Sequence, residues 1–394
     1  MLSRKKLAVA VITVSALIAS SSPAFAATLN GSGATFATPL LDACKVDFNK
    51  DTGHTINYTG GGSGKGRTDF SAGIVDFAGS DAAYSVAEPS NLVYAPIYAA
   101  PIAIMYNLPT VKDSIYLTPA TVAKIFSGYI TNWNDKLIAA DNERTVKTPV
   151  FKTKTVTVKD KNKKNVKKTV PVLDKKGNPV VASYTTKSVN IDLPNQEITV
   201  WYRSDSSGTS ENFTKWLKGA NALNPDQKVW PKAGNTTFAN GTPTSIASFF
   251  NFQGASGSAA VSAGVVGKVG AITYSELSFA TDNKLPVANI LNAAGEFVAP
   301  SAAGTAAFLN AGTIAANGVV TPDYLKAVPG AYPLGTTSYG LAYGSGKDAT
   351  TQKLVSEWFT YVLDKCPSKY PEKGFAQITG PMYDKAKELI AKIK

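Results

Sequence analysis

Along the chain, short apolar runs alternate with small-residue loops and amphipathic stretches. Leu40, Leu41, Cys44, Val46 and Phe48 recur at near-helical spacing and predict a helix over 39–49, ended by Gly53. Positions 55–59 alternate as a strand. A helix is expected from about 65 to 72, and the short strand Val75-Asp76-Phe77 leads to Ser80-Asp81. Positions 93–106 are almost continuously apolar, the pattern of a strand buried on both faces. Thr118-Pro119 opens a further helix as an N-cap followed by proline. Later come a strand at 198–202, a helix at 210–218, helix and strand pieces at 258–263 and 270–277, and a strand at 338–342. Amphipathic helices are expected at 352–363 and 384–393. This alternation predicts an α/β fold with parallel strands.

Two segments depart from the pattern. In residues 1–26, Arg4, Lys5 and Lys6 precede an apolar stretch too short to cross a bilayer comfortably, and the segment ends Ala24-Phe25-Ala26. That is the plan of a secretory signal peptide cleaved after Ala26. No Cys near that point offers a lipid attachment site, so the mature protein is expected to be soluble and periplasmic or secreted. Residues 145–190 differ again: Thr, Val and Lys alternate over 153–159, and 161–164 and 175–179 are turn-like. They predict a β-hairpin arm inserted between a helix and a strand.

Charge sharpens this division. The chain has 394 residues and net charge +12, of which the signal supplies three positive charges. Twelve Lys between positions 147 and 187 face only Asp160 and Asp174, so the basic excess of the mature chain sits in the arm. A nucleic-acid binder should spread basic residues over a fold-scale face, which argues against reading the whole protein as one. The arm reads as a soluble hairpin or as a dock for an anionic envelope surface or partner. The mature length suggests two domains with an insertion. Cys44 and Cys366 fit one disulfide in an exported protein, or two separate buried thiols.

Three loops share one design: Gly33-Ala34-Thr35-Phe36, Gly62-Ser63-Gly64 and Ser206-Ser207-Gly208-Thr209-Ser210. Each is rich in Gly, Ser or Thr and precedes a helix, whose N-terminus offers unpaired N–H groups and a partial positive charge. One such loop is ordinary capping; three point to a shared anion. Arg203 stands just upstream of the third loop and can fork two oxyanion oxygens, with Asp205 placed to fix it. Asp81 is the unexpected member, because an anion site should exclude a carboxylate unless the ligand brings a proton to donate. Phosphate near neutral pH does so and sulfate does not. Enzyme classes fare poorly: the single histidine, His54, follows Gly53 in a turn and is expected to be solvated. No Gly-x-Ser-x-Gly elbow surrounds Ser63 or Ser207, neither Gly64-Lys65 nor Gly346-Lys347 completes a P-loop, and no zinc cluster is present. Trp133 and Trp216 read as packing residues.

A resemblance rests on five stretches: Gly-Ser-Gly-Ala-Thr-Phe at 31–36, the run from Tyr58 to Ser63, Val-Asp-Phe-Ala-Gly-Ser-Asp at 75–81, Ile-Phe-Ser-Gly-Tyr-Ile-Thr-Asn-Trp-Asn-Asp at 125–135, and Arg-Ser-Asp-Ser-Ser-Gly-Thr-Ser at 203–210. Together they resemble the phosphate-binding subunit of bacterial phosphate ABC importers. The resemblance implies a type II periplasmic-binding fold of two α/β lobes joined by crossing strands near 99–107 and 332–343. Residues 27–103 and 336–394 would form lobe 1, and 104–335 lobe 2, with the arm at 145–190 as a departure from the family pattern. It implies phosphate ligands Thr35, Phe36, Ser63, Asp81, Arg203, Ser207, Gly208 and Thr209, with Asp205 supporting. A monomer with no cofactor, metal or catalytic step is expected, with ABC permease subunits as partners. The alternatives are a binder of another oxyanion, and an adhesin-like secreted protein keeping the fold.

Overall fold

The computed structural model describes residues 26–160, 164–226, 229–345 and 348–394. Residues 1–25 of the expected signal peptide at 1–26, positions 161–163 and Gly346-Lys347 lie outside the described residues.

An eight-stranded sheet forms the spine. Its strands are β1 (Thr28–Gly33), β2 (Thr55–Gly60), β3 (Phe77–Ser80), β4 (Leu92–Tyr106), β5 (Thr199–Arg203), β6 (Phe252–Ala255), β7 (Ala271–Glu276) and β8 (Gly335–Tyr343), in the order β6-β5-β7-β4-β8-β3-β1-β2. β1 runs parallel to β2 and β3, and β5 runs parallel to β6 and β7. β4 serves both triplets. Its residues 92–101 pair antiparallel with β8, and residues 102–106 pair antiparallel with β7. At 15 residues it is about 50 Å long, enough to do both. Its almost unbroken apolar sequence follows from being covered on both faces along its length.

The two triplets repeat one plan. Helices α1 (Thr38–Thr52) and α2 (Ser63–Ser71) follow β1 and β2; α3 (Gly208–Ala220) and α4 (Ser258–Val266) follow β5 and β6. The residue before α2 is Gly62 (φ 89°, ψ 155°) and before α4 is Gly257 (φ 86°, ψ 158°), the same left-handed conformation that side-chain-bearing residues resist. α2 and α3 both begin two residues earlier than their hydrophobic patterns predict. Gly and Ser are weak helix formers in isolation, so the first turn carries no helical signal.

The two ends of the chain are covalently joined. Cys44 of α1 and Cys366 of the helix Ala349–Lys369 form a disulfide, with Cα atoms 5.9 Å apart and a separation of 322 positions along the chain. That helix is longer than its expected core, and the last helix, Gly380–Ile390, starts earlier than expected. Trp133 and Trp216 are fully buried, and Trp133 Nε1 donates to Gly270 O at 2.9 Å. His54 differs from expectation: it is half-buried, and its Nδ1 accepts from the Ala27 N–H at 3.1 Å. Pairing of β1 with β2 carries Ala27 onto the imidazole. Among the described residues, no helix is long and apolar enough to cross a membrane.

The arm is not one hairpin. A stem of Glu143–Phe151 against Val181–Asn190 branches at Lys152, whose N–H donates to Val180 O and whose carbonyl accepts from Val172 N. One branch pairs Thr153–Lys159 with Asn165–Pro171. The other is a small hairpin bridged at Leu173 and Pro179, turned over Asp174 to Gly177. The turn signal at 175–179 thus falls within the second hairpin, and the one at 161–164 lies between the paired strands of the first. None of these strands joins the eight-stranded sheet.

Candidate functional site

The C-terminal ends of β1, β3 and β5 and the starts of α2, α3 and α4 converge where the two triplets meet. Arg203, the last residue of β5, is 1% exposed. Its Nε donates to Asp205 Oδ1 at 2.6 Å, and Nη2 bonds Oδ2, making the two-point pair that the spacing predicts. Nη1 donates to Ser258 Oγ at 3.1 Å. Asp205 also accepts from the Gly257 N–H at 3.0 Å. Burial alone would raise the Asp205 carboxyl, but the Arg203 guanidinium and the Gly257 N–H hold it below its ordinary value. Below Arg203, its backbone N–H donates to the Tyr274 hydroxyl, which bonds Ser210 Oγ at 2.7 Å while its ring stacks on Phe213. The guanidinium is therefore held by Asp205 and Ser258, and the backbone of Arg203 by Tyr274.

Asp81 follows β3 and is 3% exposed. Its Oδ1 accepts from Ser338 Oγ at 2.8 Å and its Oδ2 from Thr209 Oγ1 at 3.4 Å. Its backbone N–H donates to Ser63 Oγ at 3.2 Å, and its carbonyl accepts from Asn212 Nδ2 at 2.6 Å. Burial pushes the carboxyl up to about 6, against the pull of Ser338, Arg203, Thr209 and Ser63 toward the charged form. Near neutral pH Asp81 is an acceptor, and a poised one.

Around this pair stand donors. Thr35 lies in the turn before α1, and Tyr98 holds the carbonyl of Phe36 at 3.2 Å. Ser63 is the first residue of α2, and Gly208 and Thr209 open α3, so their N–H groups have no partner within the helix. Ser207 caps α3 by accepting from the Ser210 N–H at 3.1 Å, and its own O–H remains a donor. The halves touch directly. The Gly64 N–H donates to Ser206 O at 2.9 Å, and the Ser258 N–H to Thr35 Oγ1 at 3.1 Å. A Cβ on Gly208 would sit 2.6 Å from Ser63 Oγ and 2.9 Å from the Asp81 carbonyl carbon, so only glycine fits there. All eight residues expected to bind the anion, together with Asp205, therefore lie in one interlobe cluster. Because Asp205 offsets the charge of Arg203, the site would hold an anion chiefly by oriented N–H and O–H dipoles.

Two members escape the sequence reading. Ser258 is buried and bonds both Arg203 and Thr35 Oγ1, the latter side chain at 3.2 Å. The run Gly254-Ala255-Ser256-Gly257 before it, spanning the end of β6 and the turn into α4, has the composition of the other three. Ser338 lies in the hinge strand β8, where the register with β4 shifts after it. Nothing local in the sequence points to it. Among the described residues, no cluster of three or more His, Cys, Asp or Glu is placed to hold a metal.

A family model for the PBP superfamily domain matches residues 19–365. Phosphate-binding protein PstS 2 of Mycobacterium tuberculosis is 31% identical over 321 residues, covering 77% of this chain and 70% of that protein. Phosphate-binding protein PstS 3 of the same organism is 28% identical over 366 residues, covering 89% and 82%. Among solved structures, the high-affinity periplasmic phosphate-binding protein PfluDING, bound with phosphate, aligns with a TM-score of 0.60 over 92% of this chain and 93% of its own, at 22% identity. That likeness carries the fold, two α/β lobes of the type II periplasmic-binding kind. By the extent of the family match and the identity to its relatives, this chain belongs to the PBP superfamily, in the family of substrate-binding proteins of phosphate ABC transporters.

Proposed function

We propose that this chain captures inorganic phosphate between its lobes and delivers it to the permease subunits of an ABC importer. The observation that carries this reading is a buried carboxylate, Asp81, facing an anion cage otherwise built of donors. A carboxylate there favours an oxyanion that carries hydrogen. Arg203, Ser63, Ser207, Thr35 and Thr209 would donate to phosphate oxygens, as would the N–H groups of Phe36, Gly208 and Thr209. Asp81 would accept the phosphate proton.

In this reading residues 27–103 and 336–394 are lobe 1, and 104–335 are lobe 2. The hand-over of β4 from β8 to β7 between residues 101 and 102 supports that division. Phosphate bridges both half-sites and closure buries it, with no covalent step. The protein is a monomeric carrier and not an enzyme; its single histidine is engaged by the Ala27 N–H, remote from Arg203 in sequence and role. Cleavage after Ala26 would release it to the periplasm, and the lysine-rich arm would meet an anionic envelope component. Calorimetry of dialysed protein tests the central claim. Phosphate should bind tightly, arsenate should compete, and sulfate should not. Equal binding of sulfate and phosphate near neutral pH would sink it.

A further inference from the structure

The arm carries its charge in a pattern that selects among anionic partners. Side chains alternate across a strand, and residues paired across a ladder share a face. In the outer hairpin, Lys154 lies two residues from Val156, which faces Lys168, so Lys154 and Lys168 share one face. Lys159, and Lys167 opposite Thr157, lie on the other. In the stem, Lys187 pairs at position 146, so it and Lys147 lie on opposite faces. Lys175 and Lys176 sit at the tip of the second branch. All eight are exposed. The two acids of the arm are engaged in turns: Asp160 accepts from the Lys164 N–H at 2.8 Å, and Asp174 from those of Lys176 and Asn178. The Asn178 N–H, with that of Lys176, holds the Asp174 carboxyl below its ordinary value.

A planar bilayer can touch only one face of such a ribbon. A surface-lying membrane element gathers Trp, Phe and Leu on that one face. Positions 143–190 contain no Trp, one Phe and one Leu. Charge on both faces and on a second branch suits a flexible chain that can pass around the ribbon. We propose that the arm binds a linear polyanion carrying phosphate groups along its length, gripping it from both faces, rather than resting on an anionic lipid surface.

The test uses the mature chain, long-chain inorganic polyphosphate, and vesicles of mixed zwitterionic and anionic lipid, each over a salt series. The variants are K154Q/K168Q, K159Q/K167Q and all four changes together. Each pair should weaken polyphosphate binding by a similar factor. Each should also flatten the slope of log affinity against log salt by about 1.4, at ~0.7 per charge for a single-stranded polyanion. The four changes together should do roughly twice as much. Deletion of residues 148–187 should abolish polyphosphate binding. Tighter binding to vesicles than to polyphosphate would overturn the proposal, as would loss confined to one pair, or unchanged binding after the deletion. Orthophosphate calorimetry on the same variants should match the parent protein, which shows that they fold and keeps this test separate from that of the cleft.

Discussion

The two strand triplets share a plan and end in buried carboxylates with different work. β3 leads to Asp81, which faces the cleft and receives donors from β8 and from α3 of the opposite half. β7 ends in Glu276, which faces the hinge. It pairs with Ile102 of β4 and caps the helix Leu277–Asn283 by accepting from the Ser278 N–H at 2.7 Å. Burial pushes Glu276 up to about 8 despite the donors of Ser278, whereas Asp81 reaches about 6. The donors differ accordingly. Those around Asp81 arrive from several elements and keep it ionised near neutral pH. Glu276 has its partners one turn away and stays protonated. A duplicated scaffold thus fixes where a carboxylate sits, and the elements packed against it decide which charge state it holds.

The largest expected effect tests that contrast directly. Asp81→Asn should cut the preference for phosphate over sulfate by as much as ~10⁴, because the amide turns a donor toward the ligand. Glu276→Gln should leave the preference unchanged. Calorimetry with both anions reads this, and equal losses in the two variants would erase the distinction. Next in size is a stability effect of Glu276, which stands apart from that of Asp81 above about pH 6. Its folded pKa lies above the unfolded value, so it contributes stability that is full below pH ~4.5 and lost as pH rises through about 8. Melting temperature should fall between about pH 6 and 8 in the parent protein and flatten there in Glu276→Gln.

Smaller effects should come from the paired serines. Ser63→Ala and Ser258→Ala should each cost about 0.5–1.5 kcal/mol of phosphate affinity, the ordinary net worth of a hydrogen bond. A neutral Ser258→Ala would make that half of the cleft a passive wall. The smallest change should be a shift in pH dependence. Sulfate should begin to compete as pH falls below about 6, where Asp81 gains a proton and becomes a donor. Ser338→Ala removes a donor to the charged form, so that onset should move to higher pH; titration of sulfate competition follows it.

Much of this was legible in the sequence because it depends on local chemistry. Glycine and hydroxyl residues must stand at helix starts that approach an anion, and Arg203 and Asp205 are neighbours in the chain. What remained hidden depends on tertiary packing. Ser338 sits inside an apolar strand and matters only because β8 passes beside Asp81. The first turns of α2 and α3 hold the residues that hydrophobic periodicity cannot see. His54 became half-buried through the pairing of β1 with β2. The branch at Lys152 arises from backbone bonds that join three segments, which no alternation of Thr, Val and Lys specifies.

The Cys44–Cys366 bond has a further consequence. The whole arm, at 145–190, lies between the two bonded cysteines. A protease that clips the exposed arm would therefore yield two polypeptides still covalently joined, migrating as one species until a reductant is added. Trimming of the lysine-rich appendage would thus leave both walls of the cleft on one particle.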